Sequence, residues 1–88
     1  MLTLNDCIGF SGLTEEQLEA VAKHEHLPMV LAAELVEDEV DSPEGCLRIE
    51  SMIADEVVFE IEHGHPESAE RYRHGLAEFI NTHPHPER

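Results

Sequence analysis

The chain has 88 residues, enough for one domain, and 20 acidic against 5 basic residues give it a net charge of −15. Such a charge repels phosphate backbones and anionic membranes, and it suits basic partners, cations or simple solubility. Hydrophobic residues make up 41% of the chain, which excludes an acidic disordered tail. No apolar run approaches the ~20 residues that span a bilayer.

The N-terminal stretch MLTLNDC lacks the basic segment and apolar stretch of a secretory signal, so a cytoplasmic location is expected. In that compartment Cys7 and Cys46 would be reduced. They are interpreted as small core residues, and a regulatory disulfide or metal ligation is the alternative.

Helix start and stop signals follow one another along the chain. Thr14 stands three residues before Gln17, which is a capping-box pattern, and Ser42 precedes a proline at a first helical position. The signals predict five helices with approximate bounds 3–10, 14–26, 28–40, 43–63 and 66–81. No stretch alternates with a period of two. The sequence therefore predicts an all-α fold, a compact bundle of about five short helices, as one domain over 1–82 with a frayed tail over 83–88.

The N-terminal pair of predicted helices resembles a helix-turn-helix in shape. Residues 6–22, DCIGFSGLTEEQLEAVA, place Gly12 and Leu13 in the turn. A DNA-reading helix carries Arg, Lys, Asn or Gln toward the major groove. Here the second helix offers Glu15, Glu16 and Glu19 beside Gln17, so we expect a helix pair that packs this way and does not bind nucleic acid.

The stretch KHEHLP, residues 23–28, places a histidine on either side of Glu25. Successive residues of an α-helix are about 100° apart, so His24 and His26 point to nearly opposite sides. His24 and His26 could bind the same metal ion only if the last turn of the predicted helix unwinds. Because the residue before Pro28 is biased away from the helical region, the stretch is interpreted as a helix end, where the dipole favours imidazolium. A metal or catalytic role is the alternative.

Residues 24–45, HEHLPMVLAAELVEDEVDSPEG, resemble a segment of small uncharacterised all-α proteins of bacteria. In those proteins a His-Glu-His-x-Pro stretch is followed by alanines, a Glu-Leu pair and a turn similar to Ser42-Pro43-Glu44-Gly45. The resemblance implies an all-α fold. It implies no activity, because none is assigned to such proteins.

The predicted helix 43–63 carries ionisable side chains where apolar ones are expected. On a helical wheel one broad apolar arc contains Cys46, Ile49, Met52, Ile53, Val57 and Ile61. Glu56, Glu60 and His63 fall inside that arc. If the helices before and after Ser42 form an antiparallel hairpin, these three groups approach residues 24–28 in one His/Glu cluster. A buried carboxylate needs a cation, a proton or a position at the rim.

Three interpretations of these side chains stay open. Glu60-x-x-His63 has the i, i+3 spacing of di-iron carboxylate bundles, and two subunits would supply two such motifs. A metal site, with iron or zinc, would then use Glu56, Glu60, His63, His24 and His26. Alternatively these groups lie at a rim or subunit interface and face water, or they act as an acid–base pair.

The composition and the absence of a recognisable catalytic motif favour a non-enzymatic protein. We expect a small acidic interaction or regulatory protein that needs no cofactor and self-associates as a homodimer or binds a basic protein partner. No nucleic acid or membrane partner is expected. The alternative is a metal-binding bundle centred on Glu60 and His63.

Overall fold

Residues 12–83 are described by a computed structural model, and within this range the chain forms four helices and no strand. The helices are α1 (Glu15–Glu25), α2 (Met29–Glu39), α3 (Pro43–Glu62) and α4 (Pro66–Thr82). The predicted all-α class is therefore confirmed. The predicted helix 3–10 lies outside the described residues, so neither a fifth helix nor the helix-turn-helix pair is established. Between residues 12 and 83 no helix has both the length and the apolar composition that crossing a bilayer requires.

The capping box at the start of α1 forms as its sequence predicts, and it also ties α1 to α4. The Thr14 hydroxyl accepts from the Gln17 backbone N–H at 3.4 Å, and the Gln17 side-chain oxygen accepts from the Thr14 backbone N–H at 2.9 Å. The amide nitrogen of the same buried side chain donates to the Gly75 carbonyl at 2.8 Å. The Gln17 side chain thus caps the start of α1 and also links α1 to α4. Both of its amide atoms are hydrogen-bonded, as is expected for a buried polar side chain.

The stretch KHEHLP is the end of α1. The backbone N–H of Leu27 donates to the Ala22 carbonyl at 2.9 Å, and that of His26 donates to the Lys23 carbonyl at 3.3 Å. This pair of bonds is a Schellman motif. It requires a left-handed residue, and His26 supplies it with φ 56° and ψ 43°. Pro28 then caps α2 in an extended conformation.

The turn between α2 and α3 brings two backbones unusually close. The Ser42 hydroxyl accepts from the Gly45 backbone N–H at 3.0 Å, and Pro43 occupies the first turn of α3. A Cβ atom added to Gly45 would lie 1.7 Å from the Glu39 carbonyl oxygen. Only glycine leaves room for the end of α2 to pass at this position.

The core lies among all four helices, and α1 and α3 each pack against the other three. Its largest fully buried side chains are Tyr72, Phe79, Leu18, Ile49, Ile53, Val21 and Val36. The apolar arc predicted for α3 is too wide, because Ile61 is 62% exposed and Cys46, Met52 and Val57 are only partly buried. A surface helix buries a stripe roughly 100° wide, and Ile61 lies beyond its edge.

Cys46 is a free, half-buried thiol that packs against the core. Burial raises its pKa, and the nearby carboxylate of Glu50 raises it further. A raised pKa keeps the sulfur in its less reactive thiol form. This agrees with the interpretation of Cys46 as a core residue, while Cys7 lies outside the described residues.

Candidate functional site

A pocket of about 930 Å³ opens where the end of α1 and the start of α2 meet the second half of α3 and the start of α4. Its volume is within the range of small-ligand sites. Its lining is Glu19, Ala22, Lys23, His24, His26, Leu27, Met29, Glu56, Phe59, Glu60, His65 and Ser68. Four of the five side chains predicted from the sequence as metal ligands therefore share one cavity.

Glu56 and Glu60 reach the pocket from α3 and are nearly buried. They are four residues apart, so they lie one above the other on the same face of the helix. Their exposed fractions are 7% and 2%. Most of each residue is therefore covered by the bundle, and both line the pocket.

Glu60 is fully satisfied by side chains of two other segments. The ammonium of Lys23 lies 3.2 Å from one carboxylate oxygen, and Nδ1 of His65 lies 3.2 Å from the other. Burial on its own would raise the pKa of Glu60, but the hydrogen bonds from His65 and Lys23 outweigh it and lower that pKa. Glu60 is thus an ionised carboxylate whose charge is already balanced.

Glu56 has no such partner. No hydrogen bond joins its carboxylate to any of residues 12–83, and the residue lines the pocket. Burial raises the pKa of Glu56, and the like charge of Glu60 raises it further, against the lowering influence of His24, Lys23 and His26. No buried side-chain oxygen of the described residues lacks a partner, so the Glu56 carboxylate is open to the pocket, where a proton or an added cation would satisfy it.

His24 is held by two carboxylates at the mouth of the pocket. Its Nδ1 lies 2.8 Å from Glu25 and its Nε2 lies 3.2 Å from Asp55 on α3. Burial would lower the pKa of His24, but the hydrogen bonds to Glu25 and Asp55 outweigh it and raise that pKa. Both ring nitrogens are engaged, so His24 acts here as a link between α1 and α3.

His63 does not line the pocket, although the helical wheel placed it on the same face of the helix as Glu56 and Glu60. It is exposed, its ring stacks on Phe59 with the centroids 4.0 Å apart, and its Nδ1 lies 2.8 Å from the Phe59 carbonyl oxygen. The backbone N–H of His63 still bonds the Phe59 carbonyl as in a helix, but its side chain turns back onto Phe59 and away from Glu60. His65 meets Glu60 instead.

The metal interpretation gains no support from the geometry of the described residues. Within 12–83 no three side chains of His, Cys, Asp and Glu are arranged to hold a metal ion. The position beside Glu60 is occupied by the ammonium of Lys23. The metal site stays a prediction, which elemental analysis tests.

Two partners at this site were missed by the sequence reasoning. Lys23 is the only lysine of the chain and directly precedes the histidine stretch, which the hairpin argument already brings toward Glu60. The second is Tyr72, whose hydroxyl donates to Glu19 at 2.6 Å beside the pocket. Burial and this hydrogen bond raise the pKa of Tyr72 to about 12. No pattern of neighbouring residues in the sequence predicts the contact between Tyr72 and Glu19.

All the basic side chains in the described part of the chain are already paired. These pairs are Lys23 with Glu60, Arg48 with Glu39, Arg71 with Glu19 and Arg73 with Glu70. The remaining carboxylates of residues 12–83 greatly outnumber their cationic neighbours. A negative potential around an open pocket attracts cations from solution.

Comparison of the chain with protein-family models, with curated proteins and with solved structures gave no match in any of the three. The resemblance of residues 24–45 to small bacterial helical proteins therefore stays a prediction.

Proposed function

We propose that this chain is a non-enzymatic binding protein that receives a cationic side chain of a basic protein partner in the α1–α3 pocket. The observation that carries the proposal is Glu56, a residue only 7% exposed that lines the pocket and whose carboxylate makes no hydrogen bond within residues 12–83. A lysine or arginine side chain would supply the missing positive charge.

The rest of the lining suits such a group. Leu27 and Met29 give an apolar wall, against which the methylene stem of a lysine or arginine packs. Phe59 is 47% exposed and lines the same pocket, and because His63 stacks on one face of its ring, a cation would meet the other face. The excess of carboxylates on the surface would raise the rate of encounter with a basic partner.

A short peptide tests the proposal directly. Fluorescence polarisation or calorimetry of a labelled lysine- and arginine-rich peptide measures the affinity of the wild type, Glu56→Gln and Glu34→Gln. Glu34 is an exposed residue of α2, so its variant loses the same charge away from the pocket. We expect Glu56→Gln to weaken binding by about tenfold or more, as for loss of a charge-assisted bond, and Glu34→Gln by less than about twofold.

Stability separates lost binding from lost folding. Because the raised pKa of Glu56 means that its ionised form is disfavoured by folding, Glu56→Gln should melt at the same or a higher temperature at pH 7. No binding by the wild type, or equal weakening in both variants, would show that the pocket does not receive the cation. Stoichiometric iron or zinc in untagged protein, lost in Glu60→Ala, would instead favour the metal-binding bundle.

A further inference from the structure

The outer face of α3 is apolar although it faces solvent. Leu47, Val58 and Ile61 are 49%, 53% and 62% exposed. Together with two small residues they recur at intervals of four and three along the helix. We call this set the outer α3 stripe, and it consists of Leu47, Ser51, Ala54, Val58 and Ile61.

The stripe lies opposite the face that α3 buries. Ile49, Ile53 and Glu60 point into the bundle and are at most 2% exposed, while the stripe is about half a turn away on the helical wheel. A solvent-facing stripe would ordinarily be charged or polar. An alternation of four and three residues is the seam of a coiled coil, which implies a second helix laid along it.

The stripe is complementary to itself when two copies run antiparallel. In the regular antiparallel register each Leu47 lies across from Val58 of the second copy, and each Ser51 lies across from Ala54 of the second copy. Bulky layers then flank a centre of small residues, where two helices can approach closely. The two-fold axis passes between the two small layers, so one contact is made twice, as in an isologous interface.

The charges beside the stripe fit the same register. Arg48 and Asp55 flank the stripe on one side, seven residues apart. Within the chain Arg48 pairs with Glu39 and Asp55 with His24, but their side chains stay 57% and 64% exposed, so each can meet a further charge. Antiparallel pairing places Arg48 of each copy beside Asp55 of the other, which gives two ion pairs across the seam. Two chains of net charge −15 repel one another, so a second copy needs such local pairs of opposite charge at the seam.

We infer that two copies of this chain associate through the outer α3 stripe, as antiparallel α3 helices with Arg48 of each copy beside Asp55 of the other. This interface goes beyond the proposed function, because Glu56 and Glu60 face the opposite side of α3. Both pockets stay open in the dimer, and each dimer offers two of them.

The first test is the molar mass in solution. Sedimentation velocity of the wild type over about 0.01–1 mM should show a dimer that dissociates on dilution. Ser51 is exposed, so Ser51→Arg leaves the bundle intact while placing a bulky charge in the centre of the seam. We expect Ser51→Arg to be a monomer throughout, with an unchanged circular dichroism spectrum.

A charge exchange tests the register. At about pH 8.5, where the pair of His24 with Asp55 adds little stability, Arg48→Asp and Asp55→Arg should each raise the dissociation constant about tenfold. Each turns two attractions between the copies into two repulsions, and the double variant should return toward wild type. Asp55→Arg lowers the net negative charge by two, so association driven by charge alone would become tighter. A wild type that is monomeric up to about 1 mM, a dimer unaffected by Ser51→Arg, or tighter association of Asp55→Arg would each overturn the inference.

Discussion

Replacing Gly45 by alanine puts the turn between α2 and α3 to a quantitative test. The added Cβ atom would stand 1.7 Å from the Glu39 carbonyl oxygen, 2.5 Å from its carbon and 2.8 Å from its Cα atom. All three neighbours are backbone atoms, so no side-chain rotation relieves the overlap. The end of α2 must move away by roughly 1.5 Å to restore ordinary contact, and a close-packed interior resists such a shift.

The expected change in the free energy of unfolding combines three contributions. Overpacking against backbone costs about 3 kcal/mol, and weakening the Ser42 cap on the Gly45 backbone N–H costs about 1 kcal/mol. The higher helix propensity of alanine returns about 1 kcal/mol. Gly45→Ala should therefore destabilise the domain by about 3 kcal/mol, more than 10 °C in melting temperature for a chain of this size.

Urea unfolding followed by circular dichroism measures this change, and Gly75→Ala is the matched control. Gly75 is also helical, but the nearest neighbour of its added Cβ would be the side-chain Cγ of Gln17 at 3.2 Å, and the Gln17 backbone N and Glu16 Cβ would be at an ordinary contact distance of 3.5 Å. The same gain in helix propensity applies, so we expect the control to change the free energy of unfolding by less than about 1 kcal/mol. Equal stability of the two variants would show that the close approach at Gly45 is not a constraint.

Three further predictions concern single side chains. His26→Gly should stabilise the fold by about 0.5–1 kcal/mol in thermal melts, because glycine adopts the left-handed end of α1 without the penalty that His26 incurs, and a loss of stability would contradict this. Tyr72 is the only tyrosine, so its ultraviolet titration should have a midpoint of about 12 in the folded chain, against about 10 in denaturant, and a midpoint near 10 with the fold intact would contradict its bond to Glu19. The raised pKa of His24 adds stability that is present below about pH 6.5 and is lost as the pH rises through the folded-state pKa. His24→Gln and Asp55→Asn should thus destabilise the fold at pH 5.5 and approach wild type at pH 8.5, and a penalty independent of pH would refute the ion pair.

Helix ends were predictable because their chemistry is local. Thr14, Gln17 and Ser42 cap through bonds that span three residues, so the pattern contains both partners. The wheel likewise placed Glu56 and Glu60 on the inner face of α3, where both are buried. Periodicity is sufficient for this, because the helix is regular over that stretch.

The contacts between helices were not predictable from the same patterns. Lys23 and Glu60 are 37 residues apart, and Glu19 and Tyr72 are 53 apart, so their pairing depends on how α1 docks against α3 and α4. His63 was misplaced for a different reason: a helical wheel gives the direction of the Cβ atom, and the ring of His63 turns back onto Phe59. Residue spacing therefore predicts neither how distant helices dock nor which rotamer a side chain adopts at a helix end.

A surface helix usually buries apolar side chains and exposes charged ones, and α3 departs from this on two different faces. Inside, the carboxylate of Glu56 has no hydrogen-bond donor among residues 12–83, and outside, Leu47, Val58 and Ile61 are about half exposed or more. Each departure costs stability in an isolated chain, and departures of this kind are expected where function opposes folding. Because the faces point apart, the two properties should separate: Glu56→Gln should lower the affinity for a cation and keep the dimer. Ser51→Arg should abolish the dimer while keeping the affinity of each pocket, so that only the avidity toward a partner with two basic segments is lost.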